Sequence, residues 1–293
     1  MKSHDSSLLT PLDRLLYRLL RLQGFQSQFV AVEGVRIHQL SKQGRAELPT
    51  LIFIHGIGAH AGHWFQLIPA LARVGFPIVA IDLPDHGKSG PSDTPLTIQR
   101  LTSIVSNWLN GLRLQRSVLI GNSLGGGVLL KHLLSQKKSR SAPERLILLS
   151  PAGGFTEAEE WENFRNSIRI RNPEEALAFI RRVYHRVPPY ASLVASGVVQ
   201  GMNRHGVRDL IELTTIDDFR LPEDLESIPF PRTLVVWGES DRVFDHHQLD
   251  WFKTNLPAHR TEFLEPKRTG HCPQLDSPRW LNQVIREFAQ RND

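Results

Sequence analysis

The spacing of apolar positions changes along the chain, and the changes mark its elements. Short apolar runs at Leu51–Ile54, Pro77–Ile81, Val118–Ile120, Arg145–Leu149, Thr233–Trp237 and Thr261–Leu264 are bounded by Gly, Pro or polar clusters, the pattern of buried strands. Between them, apolar residues recur three and four apart over Trp64–Val74, Thr97–Leu112, Leu124–Lys138 and Pro278–Ala289, which predicts helices. Phe29–Val32 and Val35–Leu40, joined at Glu33-Gly34, predict an opening β-hairpin. The expected fold class is α/β, a mostly parallel central sheet with helices on both faces.

From Phe155 to Pro229 the strand pattern stops. Helical stretches at Glu157–Arg169, Pro173–His185 and Ala191–Asn203 follow one another, with a turn at Pro188-Pro189. This block is expected to be a helical cap inserted over the carboxyl ends of the strands, where such sheets bind ligands. The division expected is an N-terminal amphipathic arm at 1–26, a core at 27–152 and 231–293, and the cap at 153–230.

In the arm, Arg14, Arg18 and Arg21 fall on one helical face of Leu8–Phe25, with leucines around the rest. Arginine interrupts it too often for a membrane span. Three readings follow: packing on its own domain or a second subunit, peripheral contact with a membrane interface, and plain disorder. The N-terminus lacks a secretory pattern, and the expected location is the cytoplasm or the inner membrane face.

Composition narrows the classes. The 293 residues are 40% apolar and 22% charged, ordinary for a globular protein. One cysteine, Cys272, excludes an internal disulfide framework and a Cys-rich metal site. The net charge of +5 is spread over helical arginines, and no nucleic-acid motif accompanies it. His60 and His63, and the pair His246-His247, lack a carboxylate or cysteine at zinc spacing. No metal and no cofactor is expected.

The candidate chemistry centres on Ser123. Gly121-Asn122-Ser123-Leu124-Gly125 falls where a buried strand turns into a helix, the context that makes G-x-S-x-G a nucleophile elbow. Asp241 follows the strand at Thr233–Trp237, and His271 follows the strand at Thr261–Leu264. The sheet should gather all three at one rim, in the chain order Ser, Asp, His. A serine hydroxyl attacks only when a base takes its proton, the role of His271. Asp241 would hold the imidazole in the right tautomer and stabilise the imidazolium. The backbone N–H groups of Leu124 and Ile57 are the expected oxyanion donors. Glu239 and Asp245 are rival acids. Asp82, Asp85 and His55 are expected to order loops, and Cys272 to pack.

These residues together carry a resemblance. With His55-Gly56-Ile57-Gly58, Asp82-Leu83-Pro84 and Gly87-Lys88-Ser89, the elbow, Trp237-Gly238 with Asp241, and Gly270-His271 in this order, the chain resembles the α/β-hydrolases, notably capped bacterial esterases and lipases. The resemblance runs from about Phe29 to the C-terminus. It implies a Ser123–His271–Asp241 triad with Ile57 and Leu124 as oxyanion donors. It departs at Asp85, where the family usually has Gly; positive φ is expected there, which Asp tolerates. Serine at 123 argues against the dehalogenase and epoxide-hydrolase branches, which place aspartate there.

The function expected is cleavage of a small-molecule carboxylic ester with an apolar acyl group, through an acyl-enzyme. The alternatives are a carbon–carbon bond hydrolase of the ring-cleavage-product type and a non-catalytic ligand-binding homologue. His55, Phe155 and Trp161 are candidate substrate contacts. The sequence leaves oligomeric state open.

Overall fold

The computed structural model describes residues 9–135, 143–154, 157–222, 225 and 230–291. Its strands are β1 (Gln26–Val32), β2 (Val35–Lys42), β3 (Thr50–Ile54), β4 (Ile78–Ile81), β5 (Ser117–Asn122), β6 (Arg145–Leu149), β7 (Arg232–Val236) and β8 (Thr261–Leu264). They pair into one sheet ordered β1-β2-β4-β3-β5-β6-β7-β8. β2 runs antiparallel to β1 and β4, and every pair from β4 to β8 is parallel. The α/β architecture expected from the pattern is the one observed.

Strand alternation decides which side chain enters which core. Leu51 and Phe53 point to one face with Val118, Ile120, Ile147 and Leu149; Ile52, Ile54, Leu119, Leu146 and Leu148 point to the other. The first face is covered by α1 (Pro11–Leu22), α2 (Ile68–Arg73) and, at the C-terminus, a helix over Pro278–Ala289. The second is covered by α3 (Ile98–Asn110) and α4 (Leu124–Ser135). Burial on both faces explains why the central strands read as unbroken apolar runs.

α1 is capped at its N-terminus and bonded to the sheet through its buried stripe. Thr10 and Asp13 form a capping box: Thr10 Oγ1 accepts from the Asp13 amide at 3.1 Å, and Asp13 Oδ2 accepts from the Thr10 amide at 3.0 Å. Leu16, Tyr17 and Leu20 are buried. The Tyr17 hydroxyl donates to Asp82 at 2.6 Å, far away in sequence. Asp82 also accepts from the amides of Ala61 and Lys88 and pairs with His38 Nδ1 at 2.7 Å. Its loop-ordering role is thus visible. Asp85 adopts φ +53°, as its place in the loop predicts.

Between β6 and β7 lie α5 (Ala158–Ser167), α6 (Pro173–Val183), α7 (Ala191–Met202), α8 (His205–Leu213) and α9 (Ile216–Phe219). They have a small core of their own around Ile180, Ala195, Met202 and Ile211. The two short helices α8 and α9, and likewise α10 (His246–Asn255) and α11 (Pro273–Asp276) before α12 (Pro278–Ala289), have no counterpart in the sequence reading. The helix expected over Trp64–Val74 is instead a 3-10 turn at Ala61–Trp64 followed by α2. Pro69 can occupy only the first turn of a helix, so α2 starts late. Lys137 and Lys138 lie outside the described residues.

Candidate active site

The elbow is built from close contacts that exclude side chains. A Cβ on Gly121 would sit 2.7 Å from the Gly125 carbonyl carbon, and one on Gly125 would sit 2.4 Å from the carbonyl oxygen of Ile54. With those two positions bare, α4 starts directly against β5 and β3. Ser123, between them, takes φ +53°, a strained conformation for a residue with a Cβ. Its amide donates to Leu149 O, and its carbonyl accepts from Gly127 and Ala152. The backbone is pinned on both sides. Among the described residues its hydroxyl has no hydrogen-bond partner.

Asp241 and His271 meet. His271 Nδ1 lies 2.8 Å from Asp241 Oδ2, with both residues buried. Asp241 Oδ1 accepts from the amides of Val243 at 2.9 Å and Phe244 at 3.2 Å. Burial pushes its carboxyl up, but the His271 charge and hydrogen bond, with the two amides, outweigh this and hold it below its usual range. An ionised Asp241 accepts from Nδ1–H, so Nε2 is the nitrogen left to act as a base. The rival acids Glu239 and Asp245 are exposed.

The His271 loop is tied to the elbow and to the inserted helices. Asn122 Nδ2 donates to the carbonyls of Leu149 at 2.9 Å and His271 at 3.2 Å. Asn122 Oδ1 accepts from Gln274 Nε2 at 3.0 Å and from the Cys272 thiol at 3.5 Å. The His271 amide donates to Val183 O at the end of α6. Asp276 accepts from the Gly270 and His185 amides, and Arg182 Nε donates to Arg242 O at 2.6 Å. The Phe244 ring stands edge-on to the imidazole, centroids 4.9 Å apart. Sequence reading missed Asn122, Arg182 and Asp276. Only Asn122 carried a signal, its place inside the elbow pentapeptide.

Ile57 and Leu124 follow β3 and β5, neighbouring parallel strands. Gly56 is close to Ser123: a Cβ there would sit 3.2 Å from Ser123 Cβ. Neither the Ile57 nor the Leu124 amide donates to an acceptor among the described residues.

The substrate-contact expectations fare differently. His55 is buried with both ring nitrogens committed: Nδ1 lies 2.8 Å from Gly56 O, and Nε2 accepts from Leu83 N at 2.9 Å. The ring therefore orders its loop, as expected, and has no nitrogen free to bond a ligand. Trp161 is buried in α5 between Phe164 and Phe219. Phe155 lies outside the described residues. Cys272 packs beside Asn122, and burial with nearby Asp241 raises its thiol, leaving it protonated.

Two groups among the described residues bring potential metal ligands together; in one, Glu160 and Asp245 join His247, whose Nε2 pairs with Glu160 at 2.9 Å, carboxylates that the sequence spacing did not supply. In the other, Asp13 joins His60 and His63 with ligand atoms within 4.8 Å of one another, again a carboxylate that the sequence spacing did not supply. His60 Nδ1, however, accepts from the Gly62 amide at 3.1 Å, so Nε2 carries the proton that it gives to Asp13 at 3.0 Å. A ring in that tautomer has no lone pair free for a cation.

The model of the alpha/beta hydrolase family matches residues 51–284, most of the chain. The chain belongs to the alpha/beta hydrolase family. This alpha/beta hydrolase is 26% identical over 274 residues to the uncharacterized hydrolase YugF of Bacillus subtilis, covering 88% of this chain and 96% of that one. Among solved structures it is similar to a bacterial membrane phospholipase A, with a TM-score of 0.78 and 24% identity over 94% of this chain and 90% of the other. It is also similar to the 2-hydroxy-6-oxo-6-phenylhexa-2,4-dienoate hydrolase of Rhodococcus sp. strain RHA1, with a TM-score of 0.73 and 21% identity over 90% and 98%. At these identities the two structures speak for the shared fold.

Proposed function

We propose that this alpha/beta hydrolase cleaves carboxylic esters by nucleophilic catalysis at Ser123. The observation that carries the reading is the buried 2.8 Å pair of His271 and Asp241 on a loop fastened to the elbow, beside a serine whose hydroxyl is uncommitted. His271 Nε2 takes the hydroxyl proton as Ser123 Oγ attacks the ester carbonyl carbon. The resulting oxyanion accepts from the amides of Ile57 and Leu124. The imidazolium, stabilised by Asp241, gives its proton to the departing alkoxide oxygen, leaving an acyl-enzyme. Water, deprotonated by His271, then releases the acid and restores Ser123. The Ser123 hydroxyl, uncommitted without substrate, forms its hydrogen bond to His271 Nε2 when substrate binds, as catalytic contacts do.

The helices between β6 and β7 act as a cap over this site. Trp161 and Phe164 of α5 continue through Phe244, in the loop after β7, to His271, and such a wall suits an apolar acyl group. The likeness to a dienoate hydrolase supports a second reading, carbon–carbon bond hydrolysis at the same serine.

The test is a p-nitrophenyl ester chain-length series on wild type and Ser123→Ala. Wild type should turn the esters over, and the variant should be slower by at least about a thousandfold. Equal rates would end the proposal. Turnover of a 2-hydroxy-6-oxo-dienoate with none of any ester would select the second reading.

A further inference from the structure

The core covers only half of α1. Leu16, Tyr17 and Leu20 are buried, whereas Leu12, Leu15, Leu19 and Leu22 are 37, 47, 39 and 75% exposed. At 100° per residue these four leucines line one flank of the outward surface, and Arg14, Arg18 and Arg21 line the other. Among the described residues the three guanidiniums have no side-chain partner. The helix's sole carboxylate, Asp13, is taken by Thr10 and His60. Lys88 adds a fourth cation near this side, its Nζ 4.1 Å above the Tyr17 ring.

The apolar strip continues past the helix. Gly197 of α7 packs on Thr10, a Cβ there lying 3.4 Å from Thr10 Cγ2. One turn earlier on the same face of α7 stands Leu193, 74% exposed, preceded by Tyr190 and Val187 at 47 and 43%. No described helix is long and apolar enough to cross a membrane.

We propose that this face docks on an anionic lipid surface, with α1 lying in the plane of the interface. The leucines enter the acyl boundary, and the arginines reach the phosphates with their stems along the surface. A second copy fits this face less well. A two-fold contact would bury guanidiniums along both edges with no carboxylate of α1 free to meet them. The docking face is separate from the ester reading and does not depend on it.

The experiment is cosedimentation of the full chain with phosphatidylcholine vesicles, with and without phosphatidylglycerol, at low and high salt. Binding should require the anionic lipid and weaken with salt. Arg14→Gln/Arg18→Gln/Arg21→Gln should bind about a hundredfold more weakly, each arginine near such a surface contributing about fivefold. Leu15→Ser/Leu19→Ser should bind at least about tenfold more weakly. Both variants should keep wild-type turnover of a water-soluble ester, and Ser123→Ala should bind vesicles as wild type does. Absent binding by the folded wild type, or equal binding to both vesicle types, would overturn the proposal. So would a dimer that Leu15→Ser/Leu19→Ser dissolves in the absence of vesicle binding, which would assign the face to a second copy. Vesicle binding without any ester turnover would count against the ester reading alone.

Discussion

Asn122 donates its side-chain amide to the carbonyl oxygen of His271 at 3.2 Å, so the residue beside Ser123 also holds the His271 loop. The same side chain accepts from Gln274 and bonds Leu149 O. Asn122→Ala should therefore lower kcat about ten- to a hundredfold with little change in KM, because the base is displaced while the acyl wall stays. Asn122→Asp should be worse than Ala, since it sets a carboxylate against two carbonyls. Steady-state kinetics on a p-nitrophenyl ester checks this, and an Asp variant as active as wild type would refute it.

Asp241→Asn keeps an oxygen for the amides of Val243 and Phe244 but cannot accept from Nδ1–H while presenting its amide group to His271. Ester turnover should fall by about ten-thousandfold with the fold intact. Kinetics beside a circular dichroism melt separates the two effects.

Tyr17→Phe tests how α1 is held. The hydroxyl donates to a buried carboxylate that burial would push up but that the His38 charge and hydrogen bond hold low. Removing a donor to an ionised group costs about 1.5–3 kcal/mol. Urea denaturation should register that loss, and proteolysis near Gln23-Gly24 should quicken. A midpoint unchanged from wild type would mean that α1 is held by its leucines alone.

Stability should fall as the pH drops from 7 to 5. Burial pushes His86 and His132 down to about 4, with Arg204 adding to the effect at His86. Folded, they stay neutral through a range where the unfolded chain, with histidines near 6.5, takes up protons. Protons thus favour the unfolded state, and each histidine costs ~2 kcal/mol over that interval. Below about pH 4, protonation of Asp82, whose folded carboxyl is lowered, adds to the loss. Chemical denaturation at pH 7, 6 and 5 checks the slope; a flat profile would contradict it.

The strands and the elbow were legible because both are local statements. A run such as Leu51–Ile54 is apolar throughout because both sheet faces are covered, and Gly121 and Gly125 are fixed by backbone contact. The last helix, Pro278–Ala289, begins at a proline and matches residue for residue. What was not legible depends on distance in sequence. Nothing near Tyr17 announces Asp82, and nothing near Arg182 announces the carbonyl of Arg242. That His55 orders its loop was expected, but not by which partner, because the Leu83 amide belongs to another loop. Short helices such as α8 and α9 lack the length to establish a period before they end.

The inserted helices leave the sheet after β6 and return at β7, and these strands are adjacent, with Leu149 opposite Val236 and the Ser150 amide bonded to Val236 O. Because the two strands are parallel, the excursion starts beside the end of β7 and finishes at its beginning, Arg232, which stands opposite Arg145, so its ends lie about one strand length apart, ~13 Å. Both ends belong to strands that pair with each other directly, so the segment is exchangeable: a different set of helices could be spliced between the same two ends while the sheet keeps its register. If the insertion covers Ser123 as proposed, exchanging it would alter selectivity while Ser123, Asp241 and His271 stay where they are.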